Sequence, residues 1–159
     1  MSNRLKFSPA QFKGVYQAML GLSAVVKGST LEPALIELVK TRVSQINGCG
    51  FCLDMHTKDA RAAGESEQRL YLLSAWREAP FYSERERAAL AWAEAVTRLE
   101  QQHVADEIYE QAHGAFSDQE LAVLTLAIVE INGWNRFAIS FQAEPGSYQP
   151  ARRTPSNND

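Results

Sequence analysis

The chain has 159 residues, 45% of them apolar and 22% charged, the make-up of an ordinary globular protein. Sixteen lysines and arginines against nineteen aspartates and glutamates leave a formal charge of −3, which argues against a sequence-blind nucleic-acid binder, since such proteins carry a basic surplus. Nine glycines and six prolines are few for this length, so a helix-rich domain is expected over a turn-rich β sandwich. The length suits one domain that buries its own core. The first residues, MSNRLKFSPAQF, are polar and lack the apolar centre of a secretory signal. The most apolar stretch, Leu121 to Val129, falls far short of the roughly 18 residues of a spanning helix. A soluble, cytoplasmic protein with no membrane and no nucleic-acid partner is expected.

Taken in order, Ser8-Pro9 opens a first helix: serine caps and proline suits the first helical position. Phe12, Val15, Tyr16, Met19, Leu20 and Leu22 continue it at helical spacing to about Val26. Glu32-Pro33 begins a second, with Leu35, Ile36, Val39, Val43 and Ile46 as its apolar stripe, and Asn47-Gly48 breaks it. A third helix starts near Cys49 or Gly50 and runs to Ala63, with Gly64 as its stop. Ser66 caps a short helix to about Trp76, and Ala79-Pro80 interrupts the chain. Ser83-Glu84-Arg85-Glu86 has the capping-box pattern and opens a helix to about Glu100. A shorter helix spans about Ala105 to His113. Ser117-Asp118-Gln119-Glu120 is a second capping box. The helix it opens is apolar nearly all round from Leu121 to Ile131, which predicts the most buried element, continuing past Gly133 to about Gln142. No stretch shows strand alternation, so the fold class is all-α with about seven helices. Residues 1–144 form the domain, and 145–159, rich in Pro, Ser, Asn and Arg, read as a flexible, extended tail. One echo stands out: Ile46-Asn47-Gly48 and Ile131-Asn132-Gly133 each follow an apolar helix, as two helix–break–helix units would, or as chance would allow.

The two cysteines, Cys49 and Cys52, lie three residues apart, which in a cytosolic chain points to redox chemistry or a metal site. Three apart on a helix, they are close enough to form a disulfide. Both fall in the first turn, where free N–H groups and the helix dipole favour a thiolate, the reacting form. His56 shares a face with Cys52 four residues on. If the chain turns back at Gly48, Glu37 and His56 lie roughly 16 and 12 Å from the turn, at similar heights across a helical hairpin. Glu37 beside Ile36 needs a partner, and His56 is a natural one. Glu37 then orients His56, and His56 takes the proton of Cys52. The rival reading is structural zinc on Cys49, Cys52 and His56 with His103 or His113 as fourth ligand, although both of those lie in polar surroundings. Trp76, Trp92 and Trp134 read as core or interface residues, and no glycine loop of the phosphate-binding kind occurs. No organic cofactor and, on the redox reading, no metal is expected.

The run from Glu37 through Gln45-Ile46-Asn47-Gly48-Cys49-Gly50-Phe51-Cys52 to His56 resembles the alkylhydroperoxidase D-like (AhpD-like) branch of the carboxymuconolactone decarboxylase superfamily, and the likeness extends from about Leu31 to Phe141. The resemblance implies an all-helical fold and a homo-oligomer, a trimer or hexamer. It implies thiol-dependent reduction of a hydroperoxide, with an external dithiol or protein reductant as partner. By position, Cys52 is the attacking cysteine that becomes a sulfenic acid, Cys49 the partner that donates a proton and closes the disulfide, and Glu37 and His56 the proton relay. Phe51 stands where the best-equipped members carry a second histidine, so activation of Cys49 would rest on the helix terminus or water. The alternative function is a thiol–disulfide oxidoreductase or redox sensor acting on a protein partner.

Overall fold

The structure, a computed structural model, describes residues 4–100 and 103–151. Over these residues it is all-α, with no strand: α1 (Lys13–Lys27), α2 (Pro33–Asn47), α3 (Gly50–Ala62), α4 (Glu67–Leu72), α5 (Glu84–Thr97), α6 (Asp106–Ala115) and α7 (Asp118–Phe141), with a 3-10 turn at Leu73–Ala75 extending α4. The helix starts follow capping chemistry. Ser83 Oγ accepts the Glu86 N–H while the Glu86 carboxylate accepts the Ser83 N–H, and Ser117 with Glu120 repeats the box. Ser66 caps α4 and Pro33 occupies the first turn of α2.

The first helix begins later than its sequence signals. The carbonyl of Ser8 accepts the N–H groups of Gln11 and Phe12, so Ser8–Phe12 is a separate turn and α1 starts at Lys13 without a side-chain cap. Tertiary packing holds that turn. Phe7 stacks on Phe137 of α7, ring centroids 4.5 Å apart, within a cluster that includes Tyr16, Trp134 and Phe141.

Helix α2 packs against α3, α5 and α7. Leu38 and Val39, adjacent in sequence, point into different parts of the core. Leu38 joins Leu73, Trp76 and Leu90, whereas Val39 and Val43 join Leu124, Ile128 and Ile131. All of these are fully or nearly fully buried, and each such side chain contributes about 1.5–3 kcal/mol. Helix α7, expected from its apolar run Leu121 to Ile131 to be the most buried element, is buried over a smaller share of its length than α2 or α5, and Val129 inside the run is half exposed. Glu130, inside the apolar run, is buried and bound by Lys40 (2.9 Å) and by the Ser23 hydroxyl.

The Ile-Asn-Gly echo also has a different outcome. Gly48 breaks α2 and α3 apart, but α7 runs unbroken through Gly133. A side chain at Gly133 would begin 2.8 Å from Met19 Cε, so this glycine serves the close approach of α1 and α7. The two echo segments do meet, because Asn47 Nδ2 donates to Asn132 Oδ1 at 2.9 Å. Residues 145–151 have no helix or strand and are hydrogen-bonded to α3. Residues 152–159 of the expected tail lie outside the described residues.

Candidate active site

The site is built where α2 ends. Gly48 takes a left-handed backbone (φ 68), and the Cys49 N–H closes on the Ser44 carbonyl at 3.0 Å. A side chain there would touch nothing; glycine is needed only because other residues lose about 1–2 kcal/mol in this conformation. The turn is then fastened to α7. Asn47 Nδ2 donates to Asn135 Oδ1 (2.8 Å) as well as to Asn132, and the fully buried Asn135 donates to Ser44 Oγ (3.1 Å). This network places Cys49 as the N-cap residue of α3.

Cys49 Sγ accepts the Cys52 N–H at 3.3 Å, one of the free donors of the first turn. The two sulfurs are joined in a disulfide, with Cα atoms 5.4 Å apart, within the ordinary range for such a bridge. Both residues are buried. His56 follows one turn later on α3, and its Nδ1 lies 2.9 Å from Glu37 Oε2. The hairpin argument thus places the acid and the imidazole at the same height. The His56 side chain is buried at 8% exposure, while that of Glu37 keeps 24%. The exposed edge of Glu37 borders a cavity of about 310 Å³ shared with Ala34, Ala60, Glu65, Arg69 and Glu86. Phe51 packs against the core and offers no proton.

The four residues singled out from sequence form two pairs, Cys49 with Cys52 and Glu37 with His56, one turn of α3 apart. It does not assemble the rival zinc set. The sulfurs are bonded to each other, His113 pairs with Asp118 at 3.0 Å, and His103 is exposed. Two residues escaped the sequence reading, Asp59 and Tyr148. One donor atom each of Glu37, His56 and Asp59 lies within 4.8 Å of the others. Within the group, His56 Nδ1 is bonded to Glu37 and both Asp59 oxygens accept from the Tyr148 hydroxyl. Asp59 was legible as an acid three residues past His56, on the same helix face. Nothing in the composition of the tail marked Tyr148.

An all-helical domain that sets a CxxC pair at a helix start, with an imidazole one turn further and a carboxylate from the preceding helix, has the architecture of AhpD-like proteins. Residues 13–95 match the carboxymuconolactone decarboxylase family, and the chain belongs to that family. It is 41% identical over 140 residues to the uncharacterized protein YdfG of Bacillus subtilis strain 168, spanning 88% of this chain and 95% of that one. Among solved structures, a protein of unknown function from Agrobacterium tumefaciens, for which the role of the antioxidant defence protein AhpD has been suggested, superposes with a TM-score of 0.88. It is 40% identical and covers 92% of this chain and 100% of its own. The debrominase Bmp8 shares the fold at a TM-score of 0.78 and 18% identity, covering 87% of this chain and 74% of its own. The fold therefore serves more than one chemistry, and the site must decide. No helix among the described residues is long and apolar enough to cross a membrane.

Proposed function

We propose that the protein is a thiol-dependent peroxidase that reduces a hydroperoxide through Cys52 and Cys49. The observation that carries this reading is the disulfide at the entrance of α3 with the Glu37–His56 pair one turn away. In the reduced protein His56 accepts the Cys52 proton, and the thiolate attacks the distal peroxide oxygen. The O–O bond breaks, and the leaving alkoxide takes a proton to give an alcohol, or water from hydrogen peroxide. Cys52 becomes a sulfenic acid. The Cys49 thiol then attacks the Cys52 sulfur, the S–S bond forms and water leaves. An external dithiol, small or on a protein, restores both thiols by exchange and is itself oxidised to a disulfide. No metal or organic cofactor enters these steps. A reducing compartment such as the cytoplasm would supply the dithiol.

Thiol titration tests the cycle. The dithiol-reduced protein should show two free thiols, and one equivalent of hydroperoxide should remove both. If both thiols persist at a hydroperoxide level that oxidises free thiol no faster, while candidate dithiols exchange rapidly with the disulfide, the protein is instead a thiol–disulfide oxidoreductase or redox sensor. Phe51 favours that second reading, since Cys49 has no side-chain proton donor next to it.

A homo-oligomer, trimer or hexamer, goes with this proposal. Val15, Leu20 and Val25 on α1 and Val129 and Ile139 on α7 are large apolar side chains left exposed in the single chain. Light scattering at micromolar concentration should give three or six times the 17.7 kDa of the chain, and a monomer would refute it.

A further inference from the structure

The C-terminal stretch leaves α7 at Gln142, whose left-handed backbone (φ 56) turns the chain back along α3. A side chain at Gly50 would begin 3.8 Å from Pro145 Cγ, so this segment lies directly over the CxxC turn. The Gly146 N–H donates to Asp54 Oδ2 at 3.0 Å, and Lys58 Nζ donates to the Tyr148 carbonyl at 3.0 Å. These contacts deliver the Tyr148 hydroxyl to Asp59, 2.7 Å from Oδ1 and 2.9 Å from Oδ2. Asp59, three residues past His56, brings a carboxylate oxygen within 4.8 Å of both the imidazole and Glu37.

Two carboxylates beside one imidazole repel each other. A hydrogen bond donated to one of them fixes its position and eases the repulsion. Tyr148 supplies such a bond without adding a positive charge. Burial first, then the bond to Asp59 and the charges of Asp59 and Glu37, push its phenol up to about 12, so it stays a donor throughout the physiological range. The other charges nearby are already paired: Lys58 with Asp54 on α3, Lys40 of α2 with Glu130 of α7, and Arg69 of α4 with Glu65 and Glu86 across the cavity from Glu37. The imidazole thus has two carboxylates within 4.8 Å, and each of these named cations has a carboxylate partner of its own.

We propose that Asp59, held in place by the Tyr148 hydroxyl, is a positioning residue that stabilises the His56 imidazolium formed when Cys52 gives up its proton, so that the C-terminal segment is part of the reactive site. The inference rests on the reading of Glu37 and His56 as the relay for Cys52. It deepens that reading by adding a second anion and the phenol that holds it.

The test uses the reduced full-length protein. With three histidines in the chain, the His56 ring protons can be followed by NMR as pH is varied. In Asp59→Asn the His56 midpoint should move to lower pH, the effect of removing a neighbouring negative charge. In a Cys49→Ser background, the pH midpoint for alkylation of Cys52 by iodoacetamide should rise. Tyr148→Phe should shift both midpoints in the same directions by less, because Asp59 then keeps its charge but is no longer fixed beside the imidazole. The double variant Asp59→Asn/Tyr148→Phe should match Asp59→Asn alone. Unshifted midpoints in Asp59→Asn overturn the inference, as does a Tyr148→Phe effect that adds fully to that of Asp59→Asn. If these shifts occur in a protein that consumes no hydroperoxide, the coupling stands and the peroxidase reading is the one that fails.

Discussion

Replacing Cys52 by serine should reduce hydroperoxide turnover to the rate of buffer alone, with the fold intact. A serine hydroxyl is not ionised near neutrality and no histidine brings it to the nucleophilicity of a thiolate, so the attack on the O–O bond has no reactant. Cys49→Ser should behave differently. One equivalent of peroxide is still consumed, and the Cys52 sulfenic acid accumulates, to be captured by a cyclic dione and read by mass spectrometry. His56→Gln and Glu37→Gln should retain the disulfide-forming pair but slow the thiolate step, by roughly a hundredfold or more for His56. Full peroxidase activity in Cys52→Ser would remove the basis of the proposed cycle. Equal loss in Cys49→Ser with no sulfenic acid trapped would reverse the assignment of the two cysteines.

The second large effect concerns stability. Glu94 on α5 is buried and gathers Arg42 of α2 at 2.8 Å, the Trp76 indole N–H at 2.9 Å and Arg77 at 2.6 Å. Arg42 is itself buried, so removal of the carboxylate leaves a cation and an indole donor without a partner in the core. Glu94→Ala should therefore cost about 3–5 kcal/mol, with a fall in Tm on the order of 10 °C. Arg77, more than half exposed, contributes little of this because solvent screens it. Urea denaturation reads the loss directly, and a Glu94→Ala protein of wild-type stability would show that the cluster only fills space.

The pH dependence of that contribution follows from its sign. Burial alone would push the Glu94 carboxyl up, but the bonds from Trp76, Arg77 and Arg42 win and hold it below the usual carboxylate range. A group depressed in the folded state stabilises the protein above its unfolded pKa of about 4.3 and loses that stabilisation as pH falls through the folded value. The stability gap between wild type and Glu94→Gln should accordingly be constant from neutrality to about pH 5 and close in more acid solution.

Much of the architecture could be read from residue order because its causes are local. Ser83 and Ser117 cap through bonds to their own third neighbours, Pro33 occupies a first turn, and Gly48 takes a conformation that other residues avoid. The same is true of the cysteine pair. Residues 49, 52 and 56 are placed relative to one another by a single helix, and Glu37 is one hairpin away, so periodicity and a rise per residue suffice to bring them together.

What local rules could not supply depends on segments distant in sequence. The Phe7 ring reaches α7 and holds Ser8–Phe12 as a turn where capping signals favoured helix. Gly133 lies inside a continuous helix with α1 packed against it, where the matching Asn47-Gly48 ends a helix. The charges of Arg42, Glu94 and Glu130 lie inside the molecule because each finds a partner from another helix, a pairing with no periodic signature.

Composition marked the C-terminal stretch as unstructured, and it does lack helix and strand over 145–151. Its docking is decided by three polar groups of α3, namely Asp54, Lys58 and Asp59, whose side chains alternate along one face to receive it. The order of residues by itself determined an all-helical chain with a sulfur pair, an imidazole and a carboxylate within reach of one another, since these are separated by turns of helix. Only the tertiary structure decided that a phenol from the far end of the chain comes to rest on the acid beside that imidazole. That contact joins residues 89 positions apart, and no local geometry can span them.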